Sequence, residues 1–189
     1  MIPAALLTCA MNVSPITLEA VIRVESGGNP LAFNVNHLAG PQPHPATVAE
    51  AATVARSYIA HGYNVDLGLM QVNSRNLAAL GYTVEQVLDP CTNIRAGGTI
   101  LAADYGRAAQ QIGTGQPALL AALSAYNTGD FARGFANGYV ARYVSLPQPI
   151  GPIVKVVSVA PLQRPTPPPN PYAADTEVRW NDALFVARN

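Results

Sequence analysis

The fold class is decided at residues 14–30, which read SPITLEAVIRVESGGNP. Ser14 followed by Pro15 is a favourable helix start, because a hydroxyl can cap free backbone amides and proline at the first helical position loses no hydrogen bond. Gly27 and Gly28, followed by an Asn-Pro pair, are typical of a helix end. The stretch therefore predicts a helix that begins near Pro15 and ends before Gly27.

Glu25 is the most informative residue of this predicted helix. Leu18, Val21 and Ile22 are spaced to form one apolar stripe, and Glu25 follows at i+7 on the same stripe. Burial penalises the charged form of a carboxylic acid, and a pKa raised to roughly 6 would make Glu25 a general acid near neutral pH. Glu19 lies off the stripe and is expected to be solvated.

Two structural interpretations of Glu25 remain open beside the catalytic one. The carboxylate could be buried and paired with an arginine such as Arg23 or Arg95. Alternatively, it could lie at the helix end and reach solvent past Gly27. The helical stripe alone does not decide between these three interpretations.

Apolar spacing in the rest of the body predicts an all-α domain over residues 1–146. No run of alternating apolar and polar residues indicates a strand. Gly97 and Gly98 interrupt the predicted helix at 93–111 at a cost of up to about 2 kcal/mol, so we expect a neighbouring helix to approach closely there. The other helices are predicted at residues 46–60, 74–80, 83–88, 117–126 and 137–145.

Composition bounds the class of protein. The 189 residues suffice for one domain, and 49% apolar content with 12% charged residues excludes a disordered polar chain. Eleven acidic residues balance eleven basic ones, which gives no basic face for nucleic acid. No apolar run approaches the roughly 18 residues of a membrane span. Residues 1–10 lack a basic leader, so we expect any export signal to have been removed.

Residues 147–189 differ in composition from the body. Nine of the seventeen prolines fall within residues 147–171, which predicts an extended, polyproline-like tail. Trp180, Leu184 and Phe185 form a small apolar cluster near its end. The tail is interpreted as a passive spacer or as a ligand for partner proteins, with the cluster as a docking face.

Two further segments combine polar and aromatic side chains near glycines. Residues 66–74, DLGLMQVNS, offer the carboxamides of Gln71 and Asn73, which suit a cleft wall that binds sugar hydroxyls; alternatively, they form a turn with Asn73 or Ser74 as a helix cap. Residues 125–130, AYNTGD, place a phenol beside a carboxamide, although alone they would pass for a helix C-cap.

Together these segments resemble the lytic transglycosylases of the lysozyme-like superfamily. The pieces that carry the resemblance occur in the family's order over residues 9–145, and they are VESGGNP (24–30), GLMQVN (68–73), AYN (125–127) and YV (139–140). Details at residues 45–51, 64–69 and 89–94 are similar to the branch associated with type IV secretion and conjugation. The resemblance implies a compact lysozyme-like fold and does not extend to the tail.

This resemblance implies a reaction and its residues. Glu25 would act first as acid and then as base, cleaving the bond between N-acetylmuramic acid and N-acetylglucosamine with formation of a 1,6-anhydro end. The substrate's acetamido group is thought to stabilise the intermediate, so a second carboxylate and a cofactor are not required. The implied substrate-binding residues are Ser26, Met70, Gln71, Asn73, Tyr126, Asn127 and Tyr139.

Several points stay open within the resemblance. Tyr143 lies one helical turn after Tyr139 and is the other candidate for its place. Asp66 and Asp130 are candidates for a lysozyme-like second carboxylate, but each adjoins a glycine-containing turn, which favours a solvated turn residue. A hydrolytic muramidase and a non-catalytic module that binds the cell wall are the alternative functions.

The chain contains two cysteines. Cys9 and Cys91 are compatible with one disulfide in an oxidising, periplasmic compartment, and two buried free thiols are the alternative. Closing so long a loop stabilises a fold by roughly 4 kcal/mol in the chain-entropy model. No metal-ligand motif is present, and no metal is expected. The implied partners are glycan strands of peptidoglycan and, through the tail, components of a secretion apparatus.

Overall fold

Helix α2 (Pro15–Ser26) has the bounds that its sequence predicts. The computed structural model describes residues 2–146 and 150, and in it Pro15 occupies the first helical position. Gly27 is left-handed, with φ 62°, and its N–H donates to the Arg23 carbonyl. One detail differs, because the Ser14 side chain makes no capping hydrogen bond and is itself buried.

The other helices follow the predicted segments with shifted ends. The longest helix begins earlier than predicted, because the Asp89 side chain caps it by accepting from the Thr92 N–H at 2.8 Å. Of the last predicted segment, residues 137–145, only Ala141–Val144 is helical, and the short helix Arg133–Ala136 lies before it. The helices are α1 (Ala4–Leu7), α3 (Val48–Ala60), α4 (Leu77–Leu80), α5 (Val84–Val87), α6 (Pro90–Ile112), α7 (Gln116–Thr128), α8 (Arg133–Ala136) and α9 (Ala141–Val144), with 3₁₀ turns at Thr8–Ala10 and Ser74–Asn76.

A small antiparallel sheet is the main departure from the all-α expectation. Its strands are β1 (Phe33–Val35), β2 (Val65–Leu67) and β3 (Val72–Asn73), in the order β1-β2-β3. Strands of two or three residues are too short to show alternation in the sequence, and every residue of β2 is buried. The fold class is nevertheless mainly α, as predicted.

Helix α6 runs through the core and packs most extensively against α7. A Cβ atom on Gly97 would lie 2.7 Å from the Met70 Cβ and 2.9 Å from the Tyr126 hydroxyl, and one on Gly98 would lie 2.7 Å from the Ala10 Cβ. The close approach predicted for these glycines is therefore present. It involves α7, the β2–β3 turn and the first 3₁₀ turn.

A disulfide joins Cys9 to Cys91 and so ties the first 3₁₀ turn to the start of α6. The predicted disulfide is confirmed, and the alternative of two free thiols is wrong. No single helix of the described part is long and apolar enough to cross a membrane; only Ala4–Ala10 and Pro15–Ser26 taken together would pass, with a bend of 103° between them. Most of the predicted tail, including Trp180, Leu184 and Phe185, lies outside the described residues.

Candidate active site

A cleft of about 850 Å³ opens where the C-terminal end of α2 faces the sheet and the α7–α8 region. Its lining is dominated by amide, hydroxyl and charged side chains, which suit a ligand rich in hydroxyl and acetamido groups. The lining residues are Glu25, Asn34, Asn36, Asp66, Gln71, Asn127, Thr128, Arg133, Ala136 and Asn137.

Glu25 lies in the last turn of α2, half-buried and facing the cleft. The Tyr139 hydroxyl donates a hydrogen bond to Glu25 Oε1. The Tyr143 hydroxyl lies 2.7 Å from the Tyr139 hydroxyl, and the two rings meet edge to face with centroids 5.3 Å apart. Tyr139 is thus the tyrosine that contacts the acid, and Tyr143 lies directly behind it.

The surroundings of Glu25 differ from the expected apolar stripe. The stripe buries Leu18, Val21 and Ile22, but the helix ends as it reaches Glu25 and the carboxyl enters a polar cleft. Of the arginines considered as partners, Arg23 pairs with Glu19 at 3.2 Å and Arg95 lies 3.8 Å from the Cys91 sulfur.

Asp66, the central residue of β2, is a second carboxylate in the same cleft. It is 3% exposed, so the expectation of a solvated turn residue is wrong for this position. Its Oδ2 accepts hydrogen bonds from the carboxamides of Asn34 and Asn36, both at 3.1 Å, and its Oδ1 accepts from Asn73 at 2.8 Å. Three donors to one carboxylate stabilise its ionised form.

Sheet register explains how this asparagine cluster (Asn34, Asn36 and Asn73) forms around Asp66. Asp66 pairs with Asn34 on one neighbouring strand and with Asn73 on the other. Side chains directly opposite each other in an antiparallel sheet lie on the same face. The register therefore places carboxamides on both sides of the carboxylate. Asn34 and Asn36 are site residues that sequence reasoning missed; the only signal was their spacing of two.

Asn93 of α6 supports the turn between β2 and β3 through hydrogen bonds of its side chain. The Asn93 side chain donates to the carbonyls of Leu67 and Val87 and accepts from the Met70 N–H, each at 2.8 Å. A Cβ on Gly68 would clash with this carboxamide. In the turn Gln71 has φ 47°, and its side-chain amide donates to the Ala32 and Gly68 carbonyls at 3.0 Å.

The eight residues predicted for catalysis and binding fall into two groups. Glu25, Gln71 and Asn127 line the cleft, and Tyr139 contacts Glu25. The other four support the site through contacts of their own: Ser26 bonds to the Ile22 carbonyl and the Gly28 N–H at the end of α2, Met70 is fully buried, Asn73 holds Asp66, and Tyr126 donates to the Met70 carbonyl at 2.8 Å.

The wall opposite the sheet is formed by the end of α7 and the start of α8. Asp130 organises this turn, because its Oδ1 accepts from the backbone N–H groups of Ala132 and Arg133 at 2.8 Å. These backbone hydrogen bonds lower the pKa of Asp130. Asp130 is thus the turn residue that the sequence favours. Within residues 2–146 and 150, no group of three or more His, Cys, Asp or Glu side chains could hold a metal ion.

Comparison with known proteins agrees with this geometry. Residues 5–143 match the family described as the transglycosylase SLT domain, and the chain belongs to that family. It is 40% identical over 146 residues to protein virB1 of Agrobacterium fabrum, covering 76% of this chain and 58% of that protein. It is 39% identical over 166 residues to the type IV secretion system protein virB1 of Brucella suis, covering 84% and 68%.

The chain spans less than two thirds of the length of the Agrobacterium relative. No solved structure matches the chain significantly.

Proposed function

We propose that the chain is a peptidoglycan lytic transglycosylase in which Glu25 transfers the proton. The observation that carries the proposal is the position of Glu25, at the end of a helix, in a polar cleft and in contact with a tyrosine hydroxyl. Membership of the transglycosylase SLT family supports the assignment. The resemblance to lytic transglycosylases implies that the bond cleaved is the one between N-acetylmuramic acid and N-acetylglucosamine.

In the first step, protonated Glu25 donates to the glycosidic oxygen between N-acetylmuramic acid and N-acetylglucosamine. The C–O bond to the muramoyl C1 breaks, and the substrate's acetamido oxygen closes onto that carbon as an oxazolinium-like species. Tyr139 holds the acid by its hydroxyl, so the carboxyl keeps one orientation in the cleft.

In the second step, ionised Glu25 takes the proton from the muramoyl C6 hydroxyl. The C6 oxygen attacks C1, the bond to the acetamido oxygen breaks, and the 1,6-anhydro ring forms without water. Asp66 lines the same cleft, and its charge, fixed by the asparagine cluster, would stabilise the positive charge that develops at the sugar.

The presence of Asp66 in the cleft favours a second candidate function, that of a hydrolytic muramidase. Retaining glycosidases use a second carboxylate as a nucleophile, and water then releases the sugar. The structure gives this cleft two carboxyl groups, Glu25 and Asp66. The two reactions differ in their product, because hydrolysis adds one water that the anhydro product lacks.

The decisive experiment is mass spectrometry of muropeptides released from purified sacculi by the wild type and by Glu25→Gln. We expect anhydro products from the wild type and a loss of about 10²- to 10⁴-fold in the variant, because glutamine keeps the shape of glutamate without its acidic proton. Hydrated products would favour the muramidase. Unchanged release by the variant would reject the role of Glu25 and leave a non-catalytic, wall-binding module as the better interpretation.

We further propose that this activity opens peptidoglycan locally in the periplasm for a type IV secretion or conjugation apparatus. The support is the identity of 39–40% to virB1 proteins, of which the Brucella one is named a type IV secretion system protein. Replacing the wild type by Glu25→Gln in the producing cell should then reduce transport. Cell fractionation should recover the protein with the periplasm.

A further inference from the structure

Arg133 is the only basic side chain among the described residues that line the cleft. It is the first residue of α8, and its guanidinium Nη2 donates to the Thr128 carbonyl at 2.7 Å, at the C-terminal end of α7. The negative end of a helix dipole favours a cation at such a position. An exposed guanidinium is thereby anchored at the rim of a sugar-sized cleft.

The charge of Arg133 is not used by a side-chain ion pair within the described part of the chain, where the three ion pairs involve other arginines. Asp130 is its nearest acidic neighbour in sequence, but the Asp130 carboxylate accepts two backbone N–H groups, and the charge of Arg133 is only a minor cause of its lowered pKa. Among the described residues the guanidinium makes one hydrogen bond, which leaves four of its five N–H donors for a ligand.

The neutral groups of a glycan do not need a positively charged side chain to bind them. Hydroxyl and acetamido groups are bound well by carboxamides, which Asn127 and Asn137 supply on the same wall. A guanidinium instead matches a carboxylate, which it binds with two parallel hydrogen bonds. In peptidoglycan the carboxylates lie on the short peptides attached to the muramoyl lactyl groups.

We propose that Arg133 binds a carboxylate of the peptide attached to the glycan, and that this contact makes peptide-bearing strands the preferred substrate. The inference rests on the proposed function and adds a specificity-determining residue to it. The lactyl carboxylate, which is exposed only when the peptide is absent, is the other possible source of the same chemistry.

The test compares three soluble strand preparations with full-length protein. The first carries free peptide carboxylates, the second has those carboxylates converted to neutral amides by carbodiimide and ammonia, and the third has lost its peptides to an amidase. Wild type, Arg133→Gln and Arg133→Lys are assayed on each, and kcat and KM are measured separately. Glutamine is too short to keep the hydrogen bond to the Thr128 carbonyl, so the unfolding temperature of each variant is measured beside its kinetics to detect any loosening at the end of α7.

On strands with free carboxylates we expect Arg133→Gln to lose roughly tenfold in kcat/KM, mainly through KM, and lysine to recover part of it because it keeps the charge. Amidated strands should lower the wild type by a similar factor, with little further loss in Arg133→Gln, because each change removes the same contact. Arg56→Gln, which removes an equal charge from an ion pair with Glu85 outside the cleft lining, serves as the control.

Three results would overturn the proposal. An equal loss for Arg133→Gln on free and amidated strands would show that the guanidinium binds sugar or acts on Glu25. A full tenfold loss on amidase-treated strands would assign the contact to the lactyl carboxylate. Inactivity of the wild type on all three preparations would instead reject the proposed function, and the inference with it.

Discussion

The two carboxylates of the cleft are held by regions of different construction. Glu25 lies in the last turn of α2, is half-buried and accepts a hydrogen bond from the Tyr139 hydroxyl. Asp66 lies inside a sheet, is 3% exposed and receives three carboxamide donors. Tyr139 reaches Glu25 from a segment more than a hundred residues away, whereas the asparagine cluster comes from the strands of the sheet itself.

Unlike surroundings allow one cleft to hold both an acid and a fixed negative charge. Donors that bind the charged form keep a carboxylate ionised, and pairs of carboxyl groups in unlike environments take unlike roles. The carboxamide donors around Asp66 favour its ionised form. Glu25 faces the cleft from the last turn of α2, and in the proposed mechanism it is the group that donates a proton to the substrate and takes one back.

Among the substitutions that test this difference between the two carboxylates, Asp66→Asn is expected to have the largest effect on stability and activity. Asparagine presents an NH₂ group to at least one member of the asparagine cluster, so a buried donor loses its acceptor and the fixed charge is lost. We expect the free energy of unfolding to fall by about 2 kcal/mol and muropeptide release to fall by roughly 10²-fold. Denaturant unfolding and the sacculus assay measure the two effects.

Asp130→Asn is the matched control for this prediction, because the Asp130 side chain does not line the cleft, and asparagine keeps an oxygen that can accept the backbone N–H groups of the turn. Its release of muropeptides should stay near that of the wild type. If Asp66→Asn retained full release and stability, the role given to the asparagine cluster would be wrong.

Asp104 shows what burial does to a carboxylate that has no such cluster of carboxamides around it. It is 2% exposed on α6 and pairs with Arg107, yet burial raises its pKa to about 6 despite that pair. The unfolded chain releases this proton near pH 4. The folded state therefore loses stability relative to the unfolded chain as the pH rises from about 4 to about 6, by on the order of 2 to 3 kcal/mol.

Asp104→Asn should remove this fall, which denaturant unfolding at several pH values would detect. Asp89, the N-cap of α6, gives a pH dependence of opposite sign. Its hydrogen bonds to Thr92 lower its pKa, so its contribution to the free energy of unfolding is lost as the pH falls through that lowered value. Parallel pH profiles for the wild type and Asp104→Asn would contradict the assignment.

Gly97 and Gly106 form a matched pair in α6 that tests how the Asp66 side of the cleft is supported. A Cβ on Gly97 would lie 2.7 Å from the Met70 Cβ, in the turn that leads to Gln71, whereas one on Gly106 would meet nothing within 4 Å. Gly97→Ala should cost about 1–3 kcal/mol by overpacking, and Gly106→Ala should gain up to about 1 kcal/mol from helix propensity.

Thermal unfolding of the two alanine variants gives the comparison directly. Stabilisation by both would show that the approach of α6 to the β2–β3 turn is loose.

The α2 side of the site was predictable because its signals are local. Pro15, Gly27 and the apolar stripe lie within one helix and fix both its bounds and the face that carries Glu25. The polar setting of that carboxyl was not predictable, because Asn34, Asp66 and Asn137 reach the cleft from elements distant in sequence.

The Asp66 side could not be read from the sequence for a related reason. The sheet pairs Asn34 with Asp66 across 32 positions, and strands of two or three residues carry no periodic signal. The glycine beside Asp66 suggested a solvated turn. The turn exists, but it begins at Gly68, two residues after Asp66, and the pairing of β2 with both neighbours buries the carboxylate.

The smallest expected effect belongs to the tyrosines behind Glu25. Tyr139→Phe removes a hydroxyl that donates to the acid, and we expect a loss of up to about tenfold, the equivalent of one hydrogen bond. The loss should fall on kcat with KM nearly unchanged, because the phenol touches the acid. Tyr143→Phe keeps that contact and should cost less. A rise in KM alone for Tyr139→Phe would instead place this hydroxyl against the sugar, and the role given to it in holding Glu25 would have to be abandoned.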